Sequence, residues 1–145
     1  MPVTHVPVSI AAATTAYTVL ADSSGLTHYI ADLTGSCTFT LPTPKAGLWF
    51  EFVYSGGAAD AQNWIIDTGS DTNFFVGGVS FLDTDAGDAA DEVHLGVYSD
   101  GNSNSKLTVV VPAAGTRVKV ESTNGTTWHV SGIVIAATVP TMADQ

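Results

Sequence analysis

Hydrophobic and polar positions alternate in short runs along most of the chain. The densest run is Thr38–Tyr54, TFTLPTPKAGLWFEFVY. Cys37, Phe39 and Leu41 fall on one face of a first strand, with Thr38 and Thr40 on the other. Leu48, Phe50, Phe52 and Tyr54 then share one face of a second strand, opposite Trp49, Glu51 and Val53. A period of two carried by aromatic and β-branched residues marks strands with one buried face. Pro42 and Pro44 have no N–H to give a ladder, and Gly47 frees the backbone, so the segment between reads as a turn. The two strands are expected to pair as a hairpin at the centre of the core.

The same pattern continues on both sides. Leu26–Asp32 sets Leu26, His28 and Ile30 against Thr27 and Tyr29. Asn63–Thr68 is a short apolar run bounded by turn residues, better a buried strand than a helix. Phe74–Leu82 is strand-like, and its paired Gly77 and Gly78 point to a bulge or a close backbone approach. His94–Ser99, Leu107–Val111, Thr116–Ser122 and Thr127–Ile135 complete about nine or ten short strands, the density expected of an all-β sandwich or barrel. Asp100–Ser105 has the composition of a hairpin turn, and Asn124-Gly125 is the strongest hairpin signal, because both residues tolerate positive φ. There is no helical period, and no repeat of fixed length that would argue for a solenoid. The expected fold is all-β: a single-domain antiparallel β-sandwich or jelly-roll-like barrel over residues 22–145, preceded by an extended N-terminal arm over residues 1–21. Val3, Val6, Val8 and Ile10 make that arm too apolar for a free tail, so they are candidate contacts with the domain or with a neighbour. Deleting residues 1–13 is expected to leave the domain folded and to weaken assembly.

Charge narrows the partners. Four basic residues stand against fourteen acidic ones in 145, a formal net charge of −10. Nucleic-acid binding needs Lys and Arg to displace counterions, so no nucleic acid is expected. No stretch approaches the ~18 apolar residues of a membrane span, and no membrane partner is expected. The N-terminus lacks the basic start of a secretory signal, which suggests synthesis in a cytoplasm without export.

Candidate chemistry is sparse. Cys37, on the apolar face of a strand, reads as a small buried hydrophobe rather than a nucleophile. The acidic stretch Asp83–Glu92 offers oxygen ligands for calcium, but its spacing is not that of an EF-hand, and a solvated loop is the simpler reading. His5, His28, His94 and His129 are dispersed, without a metal-ligand spacing. No serine lies in a GxSxG context. No catalytic residue, metal or cofactor is therefore assigned, and an enzyme is not expected. Trp64 and Trp128 lie in apolar strands, where burial with a partner for the indole N–H is the common fate. Trp49 lies opposite the apolar face of its strand. It is either exposed in the monomer and covered by a partner, or buried because both faces of the strand are covered.

The succession TFTLP (Thr38–Pro42), AGLWFEF (Ala46–Phe52), NWIID and NGTTWHVSG (Asn124–Gly132) resembles small head-decoration proteins of tailed bacteriophages. The resemblance runs from about Leu26 to Ile135, through short motifs of strand and turn residues. It implies a non-enzymatic structural protein on the outer surface of a capsid, a homotrimer clamping neighbouring major capsid protein subunits. It also implies a location on the virion after synthesis in the host cytoplasm. On that reading the arm residues, Trp49, Gly77 and Gly78 are the interface candidates, the glycines allowing close approach near a three-fold axis. The alternative is a carbohydrate- or receptor-binding β-sandwich module of a tail fibre or other virion structure.

Overall fold

The alternating runs form strands β1 (Val8–Ile10), β2 (Ala16–Thr18), β3 (Thr27–Ile30), β4 (Cys37–Thr40), β5 (Trp49–Tyr54) and β6 (Trp64–Asp67). They continue as β7 (Phe74–Asp83), β8 (His94–Asp100), β9 (Lys106–Val109), β10 (Arg117–Glu121), β11 (Thr127–Ala136) and β12 (Thr141–Ala143). The computed structural model describes residues 5–85 and 94–145. A seven-stranded sheet, ordered β1-β3-β5-β10-β11-β7-β8, faces a five-stranded sheet ordered β12-β9-β6-β4-β2. Between them lie Phe39, Phe50, Phe52, Trp64, Phe75, Phe81, Leu107 and Trp128, all inaccessible or nearly so. Each buries ~1.5–3 kcal/mol of apolar transfer free energy, so the sandwich needs no covalent staple.

The first half of the chain departs from the expected antiparallel order. Strands β1, β3 and β5 lie parallel in one sheet, and β2, β4 and β6 lie parallel in the other. The chain therefore winds from sheet to sheet, one strand in each per rung. Val8 lies beside His28 and His28 beside Phe52, so successive rungs advance by 20 and then 24 residues. This is a short solenoid in all but its period, and the unequal rungs explain why no fixed repeat is visible in the sequence. The second half supplies the antiparallel pairs β5–β10, β10–β11, β7–β8, β6–β9 and β9–β12, with β7 and β11 again parallel. Both sheets are mixed.

Two expected hairpins are corrected. The central pair, β4 and β5, lies in opposite sheets, so Pro42–Gly47 is an arch between layers. Each strand does bury its apolar face, as the alternation requires. Alternation fixes which face is buried, not which strand lies alongside. The turn after β8 likewise crosses between sheets instead of closing a hairpin with β9. The Asn124-Gly125 hairpin does form between β10 and β11. Asn124 Oδ1 accepts from the N–H groups of Thr126 and Thr127, each at 2.8 Å.

From residue 5 onward the N-terminal segment supplies an edge strand to each sheet through β1 and β2. Ile10 and Val19 are buried in the core and Val8 is half-buried, whereas Val6 is 73% exposed. Val3 lies outside the described residues.

Gly77 and Gly78 explain themselves within the chain. Gly77 adopts φ +86°, and a Cβ there would come within 2.7 Å of the Val130 carbonyl oxygen. A Cβ on Gly78 would overlap the Val97 carbonyl. The register of β7 against β11 is the same on both sides of the glycines, so the feature is a close approach to both neighbouring strands without a bulge's extra residue.

Candidate interaction face

The outer face of the seven-stranded sheet is built by β5 and β10. In RVKVE of β10, Val118 and Val120 point inward, so Arg117, Lys119 and Glu121 must point out. In β5, Phe50 and Phe52 are inward and Trp49, Glu51 and Val53 outward. Register then sets the outward side chains in rows across β5, β10 and β11. These are Trp49–Glu121–His129, Glu51–Lys119–Ser131 and Val53–Arg117–Ile133. Tyr29 and Thr27 of β3 extend the last two rows, beside Val53 and Glu51.

Arg117 Nε lies 2.9 Å from Glu51 Oε1, and Thr27 Oγ1 donates to Glu51 Oε2 at 3.0 Å. Lys119 Nζ donates to Glu121 Oε2 at 3.1 Å and sits 5.2 Å from the centre of the Trp49 ring. Exposed pairs like these add ~0–1 kcal/mol each to stability. Their larger effect is on the local charge. Glu51 and Glu121 cancel Arg117 and Lys119, so the whole formal charge of −10 resides elsewhere on the chain. Around the cancelled pairs stand Trp49, Tyr29 and Ile133, 36%, 39% and 43% exposed. Beside Trp49 an open pocket of about 240 Å³ is lined by Gly47, Leu48, Trp49, Glu121, Ser122 and Thr123. At the far margin of the same sheet, Tyr98 is 77% exposed on β8, with Asp100 two residues on.

One end of the sandwich is held by carboxylates. Asp60 is buried and accepts from Leu33 N at 3.2 Å and Gln62 N at 3.0 Å. Its own N–H donates to Pro112 O at 2.8 Å, so one residue joins three loops. Nearby, Tyr54 Oη donates to Asp32, which also accepts from Gly57 N at 3.3 Å. Burial, then the Asp32 hydrogen bond and the two carboxylate charges, push the Tyr54 phenol well above its ordinary range. Val111 is held at φ +46°, a strained value for a β-branched residue, with its N–H on Asn63 Oδ1 at 3.2 Å. These groups bond to one another and to backbone, which makes the cluster a fastening for loops.

Trp49 is 36% exposed on the outer face, so within the chain the outer side of β5 is not covered over this residue. Trp64 and Trp128 are fully buried as expected, but their indole nitrogens have no hydrogen-bond partner among the described residues. Cys37 is buried, and burial pushes its thiol up to about 11, which keeps it protonated and unreactive at neutral pH. Most of the 83–92 loop lies outside the described residues. Among the described residues no three His, Cys, Asp or Glu side chains converge as a metal site.

His28 is the residue whose importance the sequence understated. It is completely buried, and neither ring nitrogen finds a hydrogen-bond partner among the described residues. The rings of Phe52, Tyr17 and Phe50 surround it at 5.2, 5.9 and 6.0 Å. Desolvation lowers its pKa, opposed in part by the backbone of Glu51 and Leu26. The signal was present in the alternation, which sets His28 on the same face as Leu26 and Ile30. For Asp60 no such signal exists, since its partner Leu33 lies 27 residues away.

No protein-family model, curated protein or solved structure matches this chain.

Proposed function

We propose that the chain is a non-enzymatic structural protein of a phage virion, a homotrimer that sits on the capsid exterior and clamps neighbouring major capsid protein subunits. The observation that carries this reading is the outer face of the seven-stranded sheet. Trp49, Tyr29 and Ile133 stand exposed on it around two ion pairs that cancel each other's charge. Large apolar groups on a neutral face favour contact with another protein, because little charge has to be desolvated when they are covered. The resemblance of the TFTLP, AGLWFEF and NGTTWHVSG stretches to head-decoration proteins supplies the setting. The mechanism is mass action: a protein that binds only the assembled, expanded shell stabilises that shell. The test is binding of the purified chain to empty expanded capsids, with light scattering on a sizing column for its own mass. Capsid binding with a mass of about 45 kDa, three chains of 14.9 kDa, is the expected result. Failure to bind such capsids at micromolar concentration would count against the decoration role.

A second reading rests on the open pocket beside Trp49, whose wall carries Glu121, Ser122 and Thr123. An exposed indole edged by the Glu121 carboxylate and the Thr123 hydroxyl suits a sugar ring, as in a receptor-binding module of a tail fibre. A glycan array tests it: retention of a glycan, lost in Trp49→Ala, would favour this reading, and a blank array would remove it.

A further inference from the structure

Four strands end the two sheets: β1 and β8 in the larger, β12 and β2 in the smaller. Three of them are three residues long, whereas β8 has seven. Sheets blunt an open edge with a short strand, a lysine, a proline or a bulge, because unpaired N–H and C=O groups invite another chain. Strand β8 carries none of these. Its sequence HLGVYSD has no lysine or proline, and its register against β7 runs unbroken from Asp100 beside Val76 to His94 beside Leu82. No strand pairs with its outer side among the described residues. Its side chains are left uncovered as well. Leu95 lies beside the buried Phe81, on the core side, and is still 42% exposed, while Tyr98 on the opposite side is 77% exposed. Gly96 stands between them with no internal reason to be glycine. Its φ is not left-handed, and a Cβ there would meet nothing within 4 Å among the described residues. The other glycines inside strands, Gly77, Gly78 and Gly132, each press on a neighbouring backbone carbonyl. A glycine inside a strand weakens it, and marks a place where another backbone or a ligand comes close.

We infer that β8 is a receiving edge: an extended segment of another protein adds to it as a further strand of the larger sheet, with an aromatic side chain over Gly96 and a Lys or Arg beside Asp100. Backbone pairing along the strand supplies the affinity, and alternate side chains supply the specificity. On the outer face, Gly96 leaves a gap beside Ser80 of β7, with the Tyr98 ring two residues on, and an aromatic side chain from a neighbouring strand fits over such a glycine. On the core side, a β-branched residue opposite Val97 covers Val97 and Leu95. Charge decides the occupant. A second copy would bring another chain of −10, and its β7 and β8 hold no Lys or Arg to offset that charge at the edge. A basic segment is drawn instead to Asp100, whose carboxylate accepts from Asn102 N at 3.0 Å and makes no ion pair among the described residues. Antiparallel pairing is slightly the more stable, which sets the base four residues before the aromatic in the segment. The inference goes beyond the capsid reading and does not depend on it.

The probe is a fluorescein-labelled peptide of sequence KSTVFVT, titrated with the full chain and followed by fluorescence anisotropy. In antiparallel register its lysine falls beside Asp100, its first valine beside Val97 and its phenylalanine beside Gly96. Saturable binding is expected with a Kd below about 1 mM. The charge-reversed peptide ESTVFVT should bind at least about threefold more weakly, and Asp100→Lys should invert that preference. Gly96→Val fills the open space without a clash, so it should melt no lower than wild type and bind KSTVFVT about tenfold more weakly. Backbone pairing has its own signature. N-methylation of one alternate set of peptide amides removes the donors that face β8 and should abolish binding, while methylation of the other set is tolerated. No saturable binding up to about 1 mM, equal affinity in Gly96→Val, or equal response to the two methylated sets overturns the inference and leaves the decoration reading standing. A wild-type oligomer that falls to the 14.9 kDa monomer in Gly96→Val would mean that a second copy holds the edge, and overturns it too.

Discussion

Acidification should destabilise this fold through His28. In the native state the ring is fully buried among Tyr17, Phe50 and Phe52, with no hydrogen-bond partner for either nitrogen among the described residues, and its pKa is lowered by desolvation. Unfolded, it titrates near the ordinary value of 6.5. As pH falls through 6.5 the unfolded chain takes up a proton that the folded chain refuses, so the equilibrium moves toward unfolding. Stability from this residue is thus complete above pH 6.5 and is lost as pH falls toward the lowered native value. While the folded ring stays neutral, the loss is ~1.36 kcal/mol per pH unit. Going from pH 7.5 to 5.5 should therefore cost up to about 1.4 kcal/mol, the figure for a ring that stays neutral throughout, or a fall in Tm of up to roughly 3–6 °C for a domain of this size. That window lies above the ordinary carboxylate range, so acid titration of Asp and Glu contributes little to it. The assay is urea denaturation at both pH values for wild type and His28→Phe, and the subtraction removes the contribution of the other histidines. His28→Phe should be at least as stable as wild type at pH 7.5, since it deletes two unpaired buried nitrogens and keeps a ring in place. It should also lose less than wild type on acidification, by up to about 1.4 kcal/mol. An equal loss in both proteins would refute the reasoning.

Two further outcomes follow from the packing. Gly78→Ala places a methyl group on the Val97 carbonyl and should cost about 2–3 kcal/mol in chemical denaturation, with faster amide exchange along β8; a change below 0.5 kcal/mol would be incompatible with so close an approach. Ile10→Ala should cost about 2–4 kcal/mol because that side chain is buried in the core. Deletion of residues 1–13 removes both Ile10 and the strand beside His28, so the truncated chain should melt well below wild type; an unchanged melt would mean the segment adds nothing to the sandwich.

What the sequence made legible was local, and what it hid was long-range. Phe50 against Trp49, or Val118 against Arg117, follows from a period of two, and the buried and exposed faces of β5 and β10 come out as read. The outward position of Trp49 was readable in the same way. Partner choice was not readable. The alternation in Cys37–Tyr54 is equally consistent with a hairpin and with an arch between sheets. The decision falls to residues far away, since β4 pairs with β2 and β6, and β5 with β3 and β10. Asn124-Gly125 was the exception because a tight turn fixes its own partners by geometry. The ion pairs around Glu51 were invisible for the first reason: Glu51 and Arg117 are adjacent rows in space and 66 positions apart in the chain.

The winding of the first half also dictates the order in which the protein can be made. Strands β1 to β6, residues 8–67, can stack on one another as soon as they have left the ribosome, each new rung adding to the last. Strand β5 must then wait for β10, and β7 for β11, which closes the larger sheet only with the last third of the chain. Until then the nascent protein carries an open sheet edge at β5, flanked by Phe50 and Phe52. Loop-closure entropy makes such distant pairings slow, and an open apolar edge is a template for pairing with another chain. Crowded synthesis, as in a cell filled with many copies of one transcript, would therefore divide this chain between folding and aggregation at a single step, the arrival of the β10–β11 hairpin between β5 and β7.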